Sequence, residues 1–128
     1  MKKLLTATVS ILVLVCTVSA QNLFLFGQGH AFVSQSCVKK TKAHGYIWVG
    51  EAPVAGKDQD LVITHTNLRG DADWQKTVGG DSADGGYDVE PLSKDGYIVT
   101  GYTRSFGAGD RDIWLLRLND QGDTLWTC

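Results

Sequence analysis

The sequence predicts an all-β fold made of about two four-stranded antiparallel repeats. Residues 45–50 (GYIWVG) return 51 positions later as residues 96–101 (GYIVTG), and residues 58–74 return 52 positions later as residues 110–126. Beyond the first twenty residues, no window keeps apolar residues at helical spacing. Strand-rich repeats with a period of about 50 residues are typical of propellers and solenoids. We therefore expect two propeller-blade repeats, which amount to an incomplete β-propeller.

Identical residues recur at ten positions of the two copies, and we expect most of them to maintain the repeated architecture. The pairs are Gly45/Gly96, Tyr46/Tyr97, Ile47/Ile98, Gly50/Gly101, Asp58/Asp110, Asp60/Asp112, Asn67/Asn119, Gly70/Gly122, Asp71/Asp123 and Trp74/Trp126. The glycine, tyrosine and tryptophan pairs are interpreted as structural. Because the tryptophans occupy one repeat position, packing within or between repeats is favoured over a platform that stacks on sugars or bases.

Each repeat contains four short runs rich in Tyr, Ile, Val, Trp and Thr, divided by Gly and Asp, which is the pattern of strands and turns. The predicted strands are residues 36–41, 46–49, 61–66 and 73–77 in the first repeat, and 87–92, 97–103, 113–118 and 124–126 in the second. The Asp95-Gly96 pair suits a tight hairpin. Gly70 and Gly122 supply a left-handed position in the second hairpin that recurs in both repeats.

Two nearly continuous apolar runs, residues 61–63 and 113–116, predict strands that are covered on both faces. Stacked blades cover their strands in this way. By contrast, His44 stands in a turn and His65 aligns with Arg117 on a strand, and both are expected at the surface.

The first twenty residues have the layout of a secretory signal peptide, with Lys2 and Lys3, an apolar stretch and cleavage after Ala20. A lipoprotein signal ending at Cys16 is the alternative, but the bulky Val15 disfavours it. Cleavage leaves 108 of 128 residues and changes the formal charge from −2 to −4. We expect a secreted or periplasmic protein that is not embedded in a membrane, with attachment to the cell surface left open.

The mildly acidic charge argues against a nucleic-acid partner, which would require clustered Lys and Arg. After cleavage only Cys37 and Cys128 remain. They fall at different places in the repeat, and a disulfide needs Cα atoms within about 7 Å. We therefore expect two unpaired thiols.

The pattern DGYIVTGYT followed by DIWLLRLNDQGDTLW resembles the β-propeller repeat of secreted bacterial proteins, called the SBBP type. Residues 74–80 (WQKTVGG) resemble its link between blades, with Val78 in place of an aromatic residue. Following the signal peptide at 1–20, we expect a lead-in at 21–35; the resemblance then implies one blade repeat at 36–80 and a second, truncated blade repeat at 81–128. Since propellers usually have four to eight blades, we expect an N-terminal fragment of a longer bacterial protein.

Chemical motifs are sparse, and we expect neither an enzyme nor a cofactor. The sequence has no HExxH, no GxSxG and no phosphate-binding loop. Alternate aspartates at Asp58, Asp60, Asp110 and Asp112 are weak calcium candidates, because calcium prefers six to eight oxygen ligands and the complete loop spacing is missing. Turn-forming, solvated aspartates are the favoured interpretation.

The predicted function is a secreted, non-catalytic repeat segment that serves as a binding or structural module of a larger exported protein. Its partner would be an unknown protein or carbohydrate, bound by the variable segments 50–57 and 101–110. Self-association through the open blade edges is a further expectation. The alternative is a fragment of a propeller enzyme, such as a quinone dehydrogenase or a glycosidase.

Overall fold

The computed structural model describes residues 34–42 and 45–128, apart from the side chain of Gln35, and these residues form two four-stranded antiparallel sheets. The strands are β1 (Ser34–Thr41), β2 (Gly45–Pro53), β3 (Gln59–Asn67), β4 (Ala72–Val78), β5 (Asp84–Pro91), β6 (Tyr97–Thr103), β7 (Asp112–Leu118) and β8 (Thr124–Thr127). Each sheet is a simple meander, β1-β2-β3-β4 in the first sheet and β5-β6-β7-β8 in the second.

The all-β class and the two four-stranded antiparallel repeats are thereby confirmed. The sheets do not close on themselves, so a propeller stays a prediction. The predicted signal peptide, most of the lead-in and His44 lie outside the described residues. Within the described part of the chain, no helix is long and apolar enough to cross a membrane.

The hairpin that joins β3 to β4 and the equivalent hairpin that joins β7 to β8 are each built by an asparagine and a glycine. The side-chain oxygen of Asn67 accepts hydrogen bonds from the backbone N–H groups of Arg69 and Asp71, at 2.8 and 3.1 Å. Asn119 does the same in the second sheet. Gly70 and Gly122 have φ values of 90° and 79°, which side chains with a Cβ rarely adopt. These contacts explain why the two residues recur.

Gly50 and Gly101 lie inside strands, within β2 and β6. The first residues of the two variable segments, 50–53 and 101–103, therefore continue the sheets, and the loops begin after them. That these segments bind a partner stays a prediction. Gly101 is buried and faces Gly86 of β5 in the strand pairing. A Cβ on Gly101 would overlap the backbone carbonyl oxygen of Gly85, so the close approach of β5 and β6 leaves no room for a side chain there.

Two further recurring glycines, Gly45 at the start of β2 and Gly96 just before β6, also lie against the backbone of a neighbouring strand. A Cβ on Gly45 would overlap the carbonyl oxygen of Thr66, and a Cβ on Gly96 would overlap that of Leu118. Thr66 and Leu118 are themselves one repeat apart. The same close backbone contact is therefore made in both sheets.

The sheets pack against each other through a shared apolar core. The first sheet contributes Ile47, Val49, Leu61 and Ile63, and the second contributes Val89, Tyr97, Val99, Trp114, Leu116 and Leu118. Burial of each large aliphatic side chain stabilises the fold by about 1.5–3 kcal/mol. A Cβ on Gly86 would lie 2.5 Å from Leu61 Cδ1, so the absence of a side chain there lets the sheets approach.

Equivalent positions of the two repeats touch each other across this interface. Cys37 Sγ donates to Asp88 Oδ1 at 2.7 Å, Lys42 Nζ donates to the Ser93 carbonyl at 2.7 Å, and Tyr102 OH donates to Glu51 Oε2 at 2.7 Å. Each pair is separated by 51 residues, which is the repeat period. The second sheet therefore lies on the first as a stacked copy of it.

Stacking covers the inner face of the first sheet but leaves the equivalent face of the second sheet open. Leu61 is 0 % exposed, whereas Ile113, at the same repeat position, is 88 % exposed. The prediction that residues 113–116 are covered on both faces is therefore wrong at Ile113. The physical reason is that no sheet among the described residues lies beyond the second one.

Candidate functional site

Three connections meet at one end of the two sheets, which we call the loop end: residues 54–58, 79–83 and 104–111. The backbone N–H of Arg104 donates to the Ala83 carbonyl at 3.0 Å, and Lys57 Nζ donates to the Gly80 carbonyl at 3.1 Å. The loop end contains the parts of the two variable segments that lie beyond strands β2 and β6. It is therefore the region in which a repeat protein of this kind presents non-repeated chemistry.

A fully buried carboxylate, Asp84, joins two of these loops. Its Oδ2 accepts hydrogen bonds from the Gly80 N–H and the Ser105 hydroxyl at 2.8 and 2.7 Å, and its Oδ1 accepts from the N–H groups of Arg104 and Ser105 at 3.2 and 3.4 Å. Burial by itself raises the pKa of Asp84, but the surrounding hydrogen bonds together outweigh burial and lower this pKa below its ordinary value. Asp84 thus remains ionised as an anchor of the loops.

A second buried carboxyl group, Asp60, lies beside the first without such support. Asp60 is 6 % exposed, and its Oδ1 has no hydrogen-bond partner among the described residues. A Cβ on Gly79 would overlap this oxygen and would lie 2.9 Å from Asp84 Oδ2, so both carboxyl groups converge on one small region. Burial, and then the charge of Asp84, raise the pKa of Asp60, while Lys57 opposes them.

The weak calcium candidates do not assemble into a site in the described residues. Asp60 is buried beside Asp84, Asp58 is exposed, Asp110 lies 3.7 Å from the Arg104 guanidinium, and Asp112 Oδ2 accepts from the Gly109 N–H at 3.1 Å. Residues 34–42 and 45–128 contain no group of three His, Cys, Asp or Glu side chains that could hold a metal ion.

Two tyrosines and an arginine form a cluster at the loop end that we call the tyrosine cage: Tyr87, Tyr102 and Arg111. The ring centroids of the tyrosines are 5.6 Å apart. The guanidinium carbon of Arg111 lies 3.7 Å from the Tyr102 centroid and 5.7 Å from that of Tyr87. Arg111 Nη2 also donates to the Tyr87 hydroxyl.

Glu51 of the first sheet contacts the cage, because its Oε2 accepts a hydrogen bond from the Tyr102 hydroxyl. Burial, followed by this hydrogen bond and the negative charge of Glu51, raises the pKa of Tyr102 to about 12. The phenol therefore remains a neutral donor at physiological pH. Tyr87 is 51 % exposed, so one wall of the cage is open to solvent.

The tyrosine cage was not anticipated from the sequence. Its members align with different residues in the first repeat: Tyr87 with Ser36 and Arg111 with Gln59. The residues that are identical in both repeats belong instead to the framework of the repeat. The sequence signal for the cage is a difference between the repeats: aromatic and cationic residues occur in only one copy, near the variable segments.

At the opposite end of the first sheet, Thr41, His65 and Asp73 form a hydrogen-bonded network in which Thr41 and His65 are buried and Asp73 is exposed. His65 Nδ1 lies 2.8 Å from Asp73 Oδ2, and His65 Nε2 lies 3.2 Å from Thr41 Oγ1. The prediction that His65 lies at the surface is wrong, because it is 7 % exposed and its ring stacks on Trp74 with centroids 5.7 Å apart.

This network has the order of a hydroxyl–imidazole–carboxylate triad, but its geometry is that of a packing unit. Thr41 is only 5 % exposed, so its hydroxyl is inaccessible to a substrate. We interpret the three side chains as a polar connection between β1, β3 and β4.

The recurring tryptophans have different surroundings in the two sheets. Trp74 is half-buried, its Nε1 donates to the Asp120 carbonyl at 3.1 Å, and its ring lies against Gly122 of the second sheet. Trp126 is 46 % exposed. Likewise, Tyr97 is 5 % exposed while Tyr46 is 39 % exposed. The same repeat position is thus covered or open according to whether a sheet lies on that side.

Comparisons of the chain with models of protein families, with curated proteins and with solved structures find no match.

Proposed function

We propose that this chain is a secreted, non-catalytic segment of a bacterial β-propeller of the SBBP type, and that it serves as a structural or binding module of a larger exported protein. One observation carries the proposal: side chains one repeat apart contact each other between the sheets, as in Cys37–Asp88 and Glu51–Tyr102. A unit that stacks on its own copy is a unit that can be repeated.

The open face of the second sheet supports continuation of this stacking. It presents Ile98, Ile113, Leu115, Arg117 and Trp126, and their equivalents in the first sheet are Ile47, Leu61, Ile63, His65 and Trp74. In the first sheet these positions are buried or half-buried by the second sheet. A third sheet of the same repeat is therefore the partner that the open face fits.

Binding is assigned to the loop end because the loops, unlike the strands, differ between the repeats. The β2–β3 loop spans residues 54–58, whereas the equivalent β6–β7 loop spans residues 104–111. Function in repeat proteins usually resides in such loops on one face, while the stacked framework provides rigidity.

An added repeat tests the stacking part of the proposal. A copy of residues 77–128, fused directly after Cys128, restores the spacing that joins β4 to β5. We expect the extended chain to melt at a higher temperature than the original chain. The emission of Trp126, isolated by difference with a Trp126→Phe variant, should shift to the blue as its 46 % exposure is lost.

The matched control is the same extension carrying Ile113→Lys, which places a charge in the new interface. This control should lose the gain in melting temperature. An extended chain that melts like the original, with unchanged Trp126 emission, would contradict the proposal.

A further inference from the structure

We propose that the tyrosine cage is a binding site for a guanidinium group, the arginine side chain of a partner protein, and that Arg111 occupies it as an internal ligand. Release of Arg111 into solvent would expose the faces of Tyr102 and Tyr87 to the incoming arginine. The inference concerns side chains at the loop end, and its test does not require a third repeat.

The geometry of the cage is that of a cation held by aromatic rings. Attraction between a cation and a ring is significant when they lie within about 6 Å of each other. Arg111 satisfies this distance for both tyrosines, at 3.7 and 5.7 Å. The two rings are tilted by 35° and both border the guanidinium, which lies closer to Tyr102 than to Tyr87.

The electrostatic surroundings favour a cation over an anion. The carboxylate of Glu51 lies behind Tyr102, and further carboxylates stand at the loop end: Asp58, Asp81, Asp110 and Asp112. The other cations of this end, Lys57 and Arg104, are each paired with an aspartate, at 3.4 and 3.7 Å.

Arg111 itself has no carboxylate within ion-pair distance among the described residues. The rings and the Tyr87 hydroxyl alone hold its charge. Cation–π attraction at an exposed site is modest, so another guanidinium can compete with that of Arg111.

The cage is also dispensable for the architecture of the repeat. The first repeat forms the same four strands with Ser36 and Gln59 at the positions of Tyr87 and Arg111. Residues that occur in one copy, and that the framework does not need, are those in which a repeat protein differs in what it binds.

Occupation by Arg111 reduces the apparent affinity for an external ligand, because this affinity equals the intrinsic affinity multiplied by the fraction of cages that are open. Removal of this side chain should therefore strengthen binding. Arg111→Gln is the informative variant, because Gln59 already occupies the equivalent position of the first repeat.

The experiment titrates the full chain with N-acetyl-arginine amide and follows the tyrosine ring signals by NMR. We expect Arg111→Gln to bind this probe about tenfold more tightly than the original chain. Arg104→Gln is the matched control, since Arg104 lies on the same loop but pairs with Asp110. Its affinity should equal that of the original chain.

Two further comparisons identify the cage as the binding site. Addition of Tyr87→Ala to Arg111→Gln should remove the gain, because one wall of the cage is lost. N-acetyl-citrulline amide, which has the same shape without the charge, should not bind. Equal affinities of Arg111→Gln, Arg104→Gln and the original chain, or binding of the citrulline probe, would overturn the proposal.

If Arg111→Gln does not fold, the proposal is tested on the original chain by following the side chain of Arg111 itself. Saturating N-acetyl-arginine amide must displace Arg111, and the NMR signal of its Nε–H, shifted by the ring of Tyr102, must move to the position of a free arginine. An Arg111 signal that stays unchanged at every concentration of the probe would overturn the proposal as well.

Discussion

At the scale of single residues, two buried aspartates at the loop end have pKa values shifted in opposite directions, because hydrogen bonds offset the effect of burial at only one of them. Asp84 receives hydrogen bonds at both oxygens, which lower its pKa despite burial. Asp60 has an Oδ1 without a partner among the described residues, and burial together with the charge of Asp84 raises its pKa. Because the pKa shifts differ in sign, the two residues should contribute to stability in opposite directions as the pH changes.

Asp84→Asn should destabilise the protein at neutral pH. The amide nitrogen of the new side chain would face N–H donors, which costs about 3 kcal/mol at a buried, charge-assisted site. A lowered pKa stabilises the fold above the ordinary value of 3.8, and this stabilisation is lost as the pH falls through the folded-state pKa. In urea unfolding from pH 3 to pH 7, the free energy of unfolding of the variant should be lower than that of the original chain, and this difference should shrink toward low pH.

Asp60→Asn should instead stabilise the protein at neutral pH. A raised pKa means that the ionised form is penalised in the fold, and the penalty grows as the pH rises from 3.8 through the folded-state pKa. In the same unfolding series, the free energy of unfolding of Asp60→Asn should equal that of the original chain at the lowest pH. It should exceed that of the original chain at pH values above the folded-state pKa of Asp60. Destabilisation of Asp60→Asn at pH 7, similar to that of Asp84→Asn, would refute the assignment.

At the scale of strands and turns, local chemistry accounts for most of what recurs. The Asn67 and Asn119 side chains build identical hairpins. Register shifts also recur, between His65 and Thr66 in the first sheet and between Arg117 and Leu118 in the second. Repeated bulges give both sheets the same local bend, and this shared shape lets one sheet stack on the other.

Gly86→Ala should weaken the contact between the sheets. The added Cβ would meet Leu61 Cδ1 at 2.5 Å and Val49 Cβ at 3.0 Å, both in the shared core. Overpacking of this kind costs about 1–3 kcal/mol, and the melting temperature should fall accordingly. Gly109→Ala is the control, because Gly109 lies on an exposed loop and its Cβ would approach nothing nearer than Asp112 Oδ1 at 3.3 Å; the stability of this variant should be unchanged. Equal melting temperatures of the two variants would show that the sheets adjust freely.

At the scale of the whole molecule, the two sheets repeat the same residue positions, but one face that is covered in the first sheet is open in the second. Leu61 and Ile113 occupy the same position but are 0 % and 88 % exposed. Exposed apolar surface that matches a buried interface elsewhere in the same protein favours association. The open face of the second sheet should therefore determine how this chain behaves in solution.

Ile113→Lys should reduce concentration-dependent association in sedimentation experiments, while unfolding in urea changes by no more than about 0.5 kcal/mol, as is usual for exposed positions. The equivalent change in the first repeat, Leu61→Lys, buries an unpaired charge and should abolish cooperative unfolding. If Ile113→Lys destabilises the chain as strongly as Leu61→Lys, the face is not open in solution.

The candidate site was less predictable than the fold. The eight strands follow from local runs of apolar residues and turn residues, and they appear in the structure with boundaries close to those predicted, although β2 extends past Gly50 to Pro53. His65 and the tyrosine cage could not be placed in the same way. Their contacts join residues far apart in the chain, such as Glu51 with Tyr102, and no local pattern records which distant side chains meet.

By itself, the sequence determined the strand-and-turn order, the repeat period and the hairpin residues, because hydrogen bonding and backbone geometry depend on near neighbours in the chain. Only the tertiary structure decided which faces are covered. Burial depends on where the second sheet lies, so Trp74 is packed while Trp126 is 46 % exposed. The same packing buries His65, and the path of the β6–β7 loop brings Arg111 over Tyr102. Both depend on neighbours that local sequence patterns do not encode.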